Sequence, residues 1–261
     1  MRHPHGLFGW VDLATIDVPA AKAFYGGLFG WTSVDLPMGP DYAYTQLLKD
    51  GKVVAGLGPM PPGGPQMPVA WSSYVIVQDA DAIVAAVPGA GGQVIAPAMD
   101  VMTQGRLAMV ADPSGAVVGL WQPMDHQGAE LFNEPGSLTW NELQTRDLAP
   151  AMAFYSEVFG WTWSEGPGAP GYQMASIPVP GGEPRMNCGA MSMPPGVPDE
   201  VPSFWAVYFA VEDCDTSLAL AESLGGTVFL PAMDMGPGRF GGVADPTGGM
   251  FFLGHFPSGQ A

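Results

Sequence analysis

Asp12 stands two residues after Trp10, and Glu142 stands two residues after Trp140. Along a β-strand, residues i and i+2 share a face. Each acid therefore shares a surface with an indole: Trp10, Asp12 and Ala14 in one place, Trp140, Glu142 and Gln144 in the other. An acid in apolar surroundings is harder to ionise and can move a proton near neutral pH. Asp12 and Glu142 are thus the candidate catalytic groups. Two tyrosines recur in matched settings, Tyr74 between Ser72 and Ile76, and Tyr208 between Ala206 and Ala210. A carboxylate, a phenol and an indole together suit a small, partly apolar ligand. Trp10, Tyr74, Trp140 and Tyr208 are candidate ligand-binding residues, and Trp121, ending a hairpin strand, joins them. Arg106 and Arg239 match each other among only 8 Lys and Arg. Each can anchor an anionic ligand or pair with Asp12 or Glu142. The plainer alternatives are a backbone or arginine partner for each acid at a domain interface, and a strand-edge salt bridge for each arginine.

The elements that must position these residues occur twice. Phe24-Tyr25-Gly26-Gly27-Leu28-Phe29-Gly30-Trp31 returns as Phe154-Tyr155-Ser156-Glu157-Val158-Phe159-Gly160-Trp161. Asp17 returns as Asp147, Trp71 as Trp205, and Pro97-Ala98-Met99-Asp100 as Pro231-Ala232-Met233-Asp234. Asp112-Pro113-Ser114-Gly115 returns as Asp245-Pro246-Thr247-Gly248. A period near 130 is too long for solenoid or propeller repeats, so the pattern implies two homologous domains, 1–125 and 137–261, with a linker over 126–136.

Each copy reads as strand, helix and three strands, then the same again. Trp10 to Ile16 reads as a strand, and Asp17 caps the next segment. Ala21, Phe24, Tyr25 and Leu28 then fall on one helical face, and Gly30 is a stop signal. Asp147 caps the matching helix with Ala151, Phe154, Tyr155 and Val158. Tyr42–Leu48 and Lys52–Leu57 read as strands closed by Pro61-Pro62-Gly63. A second unit follows: strand Tyr74–Val77, caps at Asp79 or Asp81, helix Ala82–Val87 and strand Gln93–Ile95. A hairpin, Arg106–Ala111 and Val117–Trp121, then turns at Asp112-Pro113-Ser114-Gly115. Asp213 and Asp215 are the matching caps in the second copy. Trp31, Trp71, Trp161 and Trp205 read as core residues.

Composition bounds the rest. The 261 residues carry a formal charge of −17, and the scattered basic residues exclude nucleic acid as an expected partner. Hydrophobic residues make up 47% and include 8 Trp, which excludes a disordered acidic tail. No run approaches the ~18 apolar residues of a membrane span. The start, Met1-Arg2-His3-Pro4-His5-Gly6, does not read as a signal peptide. Cys188 and Cys214 have no metal-type spacing and read as buried thiols of a cytoplasmic protein. Of the four histidines, His3 and His5 lie in the terminus, His126 in the linker and His255 just past the last strand. Pro88-Gly89-Ala90-Gly91-Gly92 follows a helix and precedes a strand, the opposite of a dinucleotide loop.

Asp17 to Tyr25, the Phe-Gly-Trp after it and the Asp-Pro-x-Gly hairpin, all occurring twice in order, resemble the vicinal oxygen chelate superfamily of glyoxalase I, bleomycin-resistance proteins and extradiol dioxygenases. Trp10-Val11-Asp12-Leu13-Ala14-Thr15 and Trp140-Asn141-Glu142-Leu143-Gln144-Thr145 are similar to its two-domain actinobacterial members, often labelled glyoxalase-like or hydroxylase. The resemblance implies an α+β fold of two tandem vicinal-oxygen-chelate domains, each of two βαβββ units forming a curved mixed-sheet cup. It also implies where a divalent metal would be bound: by His or Gln seven residues before the capping Asp, at the corresponding strand of the later units, and by Glu seven residues past the Asp of the hairpin. Here those positions are Trp10 and Trp140, about Ser72 and Ala206, and Gly119 and Phe252. Indole, methyl and phenyl groups are not ligands for such metals and a serine hydroxyl is a poor one, so the expectation is no metal and no cofactor.

The leading expectation is a metal-free protein that binds a small molecule, as a monomer or homodimer. The alternatives are a metal-free lyase, isomerase or hydroxylase-like oxidoreductase using Asp12 or Glu142, a metal-dependent glyoxalase or dioxygenase with displaced ligands, and an interaction protein acting through its surface.

Overall fold

The structure, a computed structural model, describes residues 3–39, 42–60, 68–167, 170–179, 181–236 and 238–256. Met1, Arg2 and the Pro61-Pro62-Gly63 turn lie outside them. The first half runs β1 (Phe8–Thr15), α1 (Val18–Phe29), β2 (Thr32–Pro37), β3 (Ala43–Lys49) and β4 (Lys52–Pro59). It repeats as β5 (Ala70–Ile76), α2 (Ala80–Ala86), β6 (Gln93–Val101), β7 (Gly105–Ala111) and β8 (Val117–Pro123). The second half runs β9 (Leu138–Thr145), α3 (Leu148–Phe159), β10 (Thr162–Glu165), β11 (Gln173–Ile177) and β12 (Arg185–Ser192). It closes with β13 (Phe204–Ala210), α4 (Cys214–Ser223), β14 (Thr227–Met235), β15 (Gly238–Ala244) and β16 (Met250–His255). The expected four βαβββ units are all present.

The strands form two eight-stranded mixed sheets, ordered β2-β3-β4-β1-β5-β8-β7-β6 and β10-β11-β12-β9-β13-β16-β15-β14. The parallel pairs, such as β1 with β4 and β5 with β8, are those whose connection contains a helix, as a parallel crossover requires. Asp17 caps α1 by accepting from the Ala20 N–H at 2.9 Å, and Gly30 ends it at φ 70°. Asp79 and Asp213 cap α2 and α4 in the same way.

Two readings need correction. Asp147 occupies the N-cap position of α3, but its side chain makes no capping bond. Asp81 and Asp215 sit inside the first helical turn and bind arginine instead. The residues of β2 are nearly all exposed, although Val34 and Leu36 alternate with Ser33 and Asp35.

Contacts gather the chain into two compact units. One comprises Met1–Trp10, Ser73–Gly128 and Trp140–Ala206; the other comprises Val11–Ser72, Ala129–Thr139 and Val207–Ala261. In the first, Ala151, Phe154, Tyr155 and Val158 of α3 share a core with Val75, Ala108, Val110, Val118 and Leu120. In the second, Ala21, Phe24, Tyr25 and Phe29 of α1 share a core with Val11, Leu13, Phe209, Val243 and Leu253. Cys188 and Cys214 are both buried and unbridged.

The repeated motifs meet inside these cores. In the second unit the Tyr25 hydroxyl donates to Asp245 Oδ2 at 2.7 Å and accepts from Trp71 Nε1 at 3.0 Å. The other oxygen of Asp245 accepts from the N–H groups of Thr247 and Gly249, closing the Asp-Pro-x-Gly turn. In the first unit Trp205 Nε1 donates to the Tyr155 hydroxyl at 2.8 Å. Asp112 there accepts from the N–H groups of Ser114 and Ala116. Burial first, then the carboxylate charge of Asp245 or Asp112, hold both phenols well above their ordinary pKa. Trp31 and Trp161 are core residues whose indoles donate to the carbonyls of Gly136 and Gly6.

Candidate functional site

In β1, Val11, Leu13 and Thr15 are buried and Asp12 and Ala14 are half-buried, as alternation requires. Asp12 is in register with Gly56 of β4. Tyr44 of β3 reaches across that glycine, and its hydroxyl donates to Asp12 Oδ2 at 3.1 Å. A Cβ on Gly56 would lie 1.8 Å from the Tyr44 oxygen and 2.9 Å from Asp12 Cβ. Only a residue without a side chain admits the phenol to the acid. Tyr42 is also tuned here: partial burial, and then the charge of Asp12, raise its hydroxyl pKa.

The same construction recurs in the first unit. Glu142 of β9 is in register with Gly189 of β12. Tyr172, just before β11, crosses that glycine, where a Cβ would lie 1.9 Å from its hydroxyl oxygen and 3.0 Å from Trp140 Nε1. Trp140 Nε1 donates to the Tyr172 hydroxyl at 2.9 Å. An indole N–H can only donate, so Tyr172 must accept from it. Its own proton is directed to Glu142, whose hydrogen bond and charge act with burial, the largest cause, to raise the phenol pKa. Glu142 is only 8% exposed. Its Oε1 accepts from Gln144 Nε2 at 3.1 Å. The result is a directed chain from indole to phenol to carboxylate, with the Gln144 amide on the same strand face.

Tyr44, Tyr172, Gly56 and Gly189 were not among the sequence candidates. A signal for them existed: each tyrosine and each glycine returns at nearly the repeat period, 128 and 133 residues apart.

The remaining candidates fall elsewhere. Trp10 and Trp121 are both buried in the first unit and pack against one ring, His126, at centroid distances of 4.4 and 5.6 Å. Trp121 Nε1 donates to the His126 carbonyl at 2.9 Å. His126 is therefore a packed, half-buried residue. Tyr74 is in register with Gly119, where a Cβ would lie 2.1 Å from its ring. Tyr208 is in register with Phe252 and stacked on it at 4.7 Å. Phe240 and Phe229 complete that aromatic cluster.

Both arginines take the strand-edge arrangement. Arg106 binds Asp81 through two nitrogens at 2.8 and 2.9 Å and Asp100 at 2.7 Å. Arg239 binds Asp215 at 2.6 and 2.9 Å and Asp234 at 3.1 Å. These bonds pair each guanidinium with two protein carboxylates.

At the positions where metal ligands were expected, an indole packs on His126, a glycine lies under Tyr74 and a phenyl ring stacks on Tyr208. These residues do not fit a divalent metal. Among the described residues, no group of three His, Cys, Asp or Glu converges as a metal site would. No helix among them is long and apolar enough to cross a membrane.

Comparison with known proteins bears on this arrangement. The Glyoxalase/Bleomycin resistance protein/Dioxygenase superfamily description matches residues 7–120 and 137–252. The Mycobacterium tuberculosis protein CFP32, which carries a glyoxylase name, is 44% identical over 254 residues, covering 96% of this chain and 95% of its own. The anthracycline biosynthesis protein DnrV of Streptomyces peucetius is 36% identical over 266 residues, covering 96% and 93%. Among solved structures, the 2,2',3-trihydroxybiphenyl 1,2-dioxygenase of Sphingomonas wittichii aligns with a TM-score of 0.63 at 15% identity, covering 97% of this chain and 91% of that one. The Mn(II)-bound glyoxalase of Novosphingobium aromaticivorans aligns with a TM-score of 0.63 at 15% identity, covering 96% and 82%.

Proposed function

The chain belongs to the Glyoxalase/Bleomycin resistance protein/Dioxygenase superfamily, with its tandem vicinal-oxygen-chelate fold, and from that premise we propose that it binds a small, partly apolar molecule without a divalent metal at the family's usual position. One observation carries this reading. The acid, the glycine in register with it and the tyrosine crossing that glycine occur in both halves, as Asp12, Gly56 and Tyr44 and as Glu142, Gly189 and Tyr172. Neither sheet needs a glycine there for its ladder, and a strand-interior glycine is unfavourable unless something must approach closely. What approaches is a phenol aimed at a carboxylate. The aromatic side chains at the expected ligand positions support the metal-free part.

Two sites are proposed, one within each unit: Glu142, Tyr172 and Trp140 in the first, and Asp12, Tyr44 and Tyr42 in the second. Neither includes Arg106 or Arg239. Titration with a panel of aromatic small molecules should quench tryptophan fluorescence, because Trp140 belongs to the first site. Elemental analysis of protein purified in metal-free buffer should find no stoichiometric Mn, Fe, Ni or Zn. Absence of quenching by every compound, or a stoichiometric metal, would overturn the reading.

A catalytic variant of this reading is favoured by the contact of Tyr172 with Glu142. If the bound molecule is turned over, Glu142 is placed to accept a proton, with Tyr172 stabilising the carboxylate. Replacing Glu142 by Gln should then abolish turnover while the melting temperature stays close to that of the parent.

A further inference from the structure

We propose that the Glu142 site takes an uncharged ligand with a hydrogen-bond-donating hydroxyl or amine on a flat apolar body, and that the Gln144 amide holds the place of that donor until the ligand arrives. The inference rests on the small-molecule reading above and names the class of molecule.

The polarity of the chain decides the ligand's chemistry. Trp140 donates to Tyr172, Tyr172 is directed to Glu142, and Gln144 donates to Glu142 Oε1. The chain ends on the carboxylate, which accepts from Tyr172 and from Gln144. A group that competes for this carboxylate must therefore donate. An anion would meet a buried carboxylate in a chain whose formal charge is −17. The two matched arginines that could have drawn an anion are bound to Asp81, Asp100, Asp215 and Asp234.

The two donors to Glu142 are not equally held. Tyr172 is fixed from both ends, by the indole on one side and the carboxylate on the other. Gln144 lies on the same strand two residues from Glu142, half-buried, and its amide donates to Oε1 at 3.1 Å. An amide on a flexible side chain can swing away and leave its place to a ligand O–H or N–H. Trp140 is half-buried, and its ring orientation is fixed by its Nε1 bond, so it offers a flat apolar surface beside that place. The first half lacks this device, because Ala14 stands where Gln144 stands in the second.

The test uses the full chain at pH 7 and three probes: phenol, its methyl ether anisole, and benzoate, with binding read by saturation-transfer NMR and tryptophan fluorescence. Phenol should bind at least tenfold more tightly than anisole or benzoate. Glu142→Gln should weaken phenol about tenfold or more, because the ligand loses a charge-assisted bond. Gln144→Ala should bind phenol as well as the parent or a few-fold better. Equal binding of phenol and anisole, tighter binding of benzoate, or a loss of phenol binding in Gln144→Ala would overturn the inference while leaving the small-molecule reading standing. Failure of all three probes to bind would overturn both. Should Glu142→Gln not fold, the comparison of probes on the parent and the Gln144→Ala result still decide.

Discussion

Gly189 lies directly beneath the hydroxyl of Tyr172, in register with Glu142, and a Cβ there would come within 1.9 Å of the phenol oxygen. Gly189→Ala should therefore push Tyr172 off Glu142 and leave Trp140 Nε1 without its acceptor. Overpacking of this kind costs about 1–3 kcal/mol, and the displaced indole should change its emission. Urea denaturation followed by fluorescence checks both. Gly56→Ala should act alike on Tyr44, and unchanged stability in both variants would refute the steric argument.

Tyr25→Phe should destabilise the chain by about 1.5–3 kcal/mol, the range for a hydrogen bond to a charged group. It removes the donor to Asp245 Oδ2, which is nearly fully buried, and the acceptor for Trp71 Nε1. Chemical denaturation gives the value, and a change under 0.5 kcal/mol would show that the network is replaceable.

Alkaline stability follows from the raised phenols. A group whose folded pKa exceeds its unfolded value favours the protonated native state. Its contribution is complete below the unfolded value near 10 and is lost as pH climbs above it. Tyr25 and Tyr155, both well above their ordinary value, should keep their protons until the chain unfolds. Phenolate absorbance and near-UV circular dichroism should then show a shared transition above pH ~10. All seven tyrosines titrating smoothly in folded protein would contradict this.

Arg106→Gln and Arg239→Gln should leave ligand binding unchanged, since each guanidinium is bound to two aspartates of its own half. Fluorescence titration with phenol is the measurement. A tenfold loss in either variant would return that arginine to the site.

Gly119→Glu places a carboxylate where the family resemblance expects a metal ligand. The new Cβ would lie 2.1 Å from the Tyr74 ring, so the variant should melt lower than the parent. Elemental analysis should still find no bound metal, because Trp10 offers no partner ligand. Stoichiometric uptake would mean that one side chain suffices to restore the centre.

Much of this was legible in the sequence because short-range physics wrote it there. Asp17, Asp79 and Asp213 announce helix starts, Gly30 and Gly160 announce ends, and alternation separates Val11 and Leu13 from Asp12. What was not legible depends on partners far along the chain. Nothing local distinguishes Asp245 as the acceptor for Tyr25, because the repeat supplies Asp112 as an equal candidate. The arginines were ambiguous for a related reason: Asp81 and Asp215 look like caps until the fold brings Arg106 of β7 and Arg239 of β15 to them. Tyr44 and Tyr172 escaped notice because their meaning comes from a glycine on the neighbouring strand, a relation fixed by register alone.

Each compact unit draws its segments from both halves of the chain, and that has a consequence for inheritance. A duplicated gene ordinarily leaves a spare copy that can decay or be lost without harm. Here neither copy is spare, since Tyr25 of the first is held by Asp245 of the second. A lesion in one half is felt in a core shared with the other, and truncation of either leaves both cores incomplete. The halves can diverge in side chains, as Ala14 and Gln144 have, but they must do so as one heritable unit.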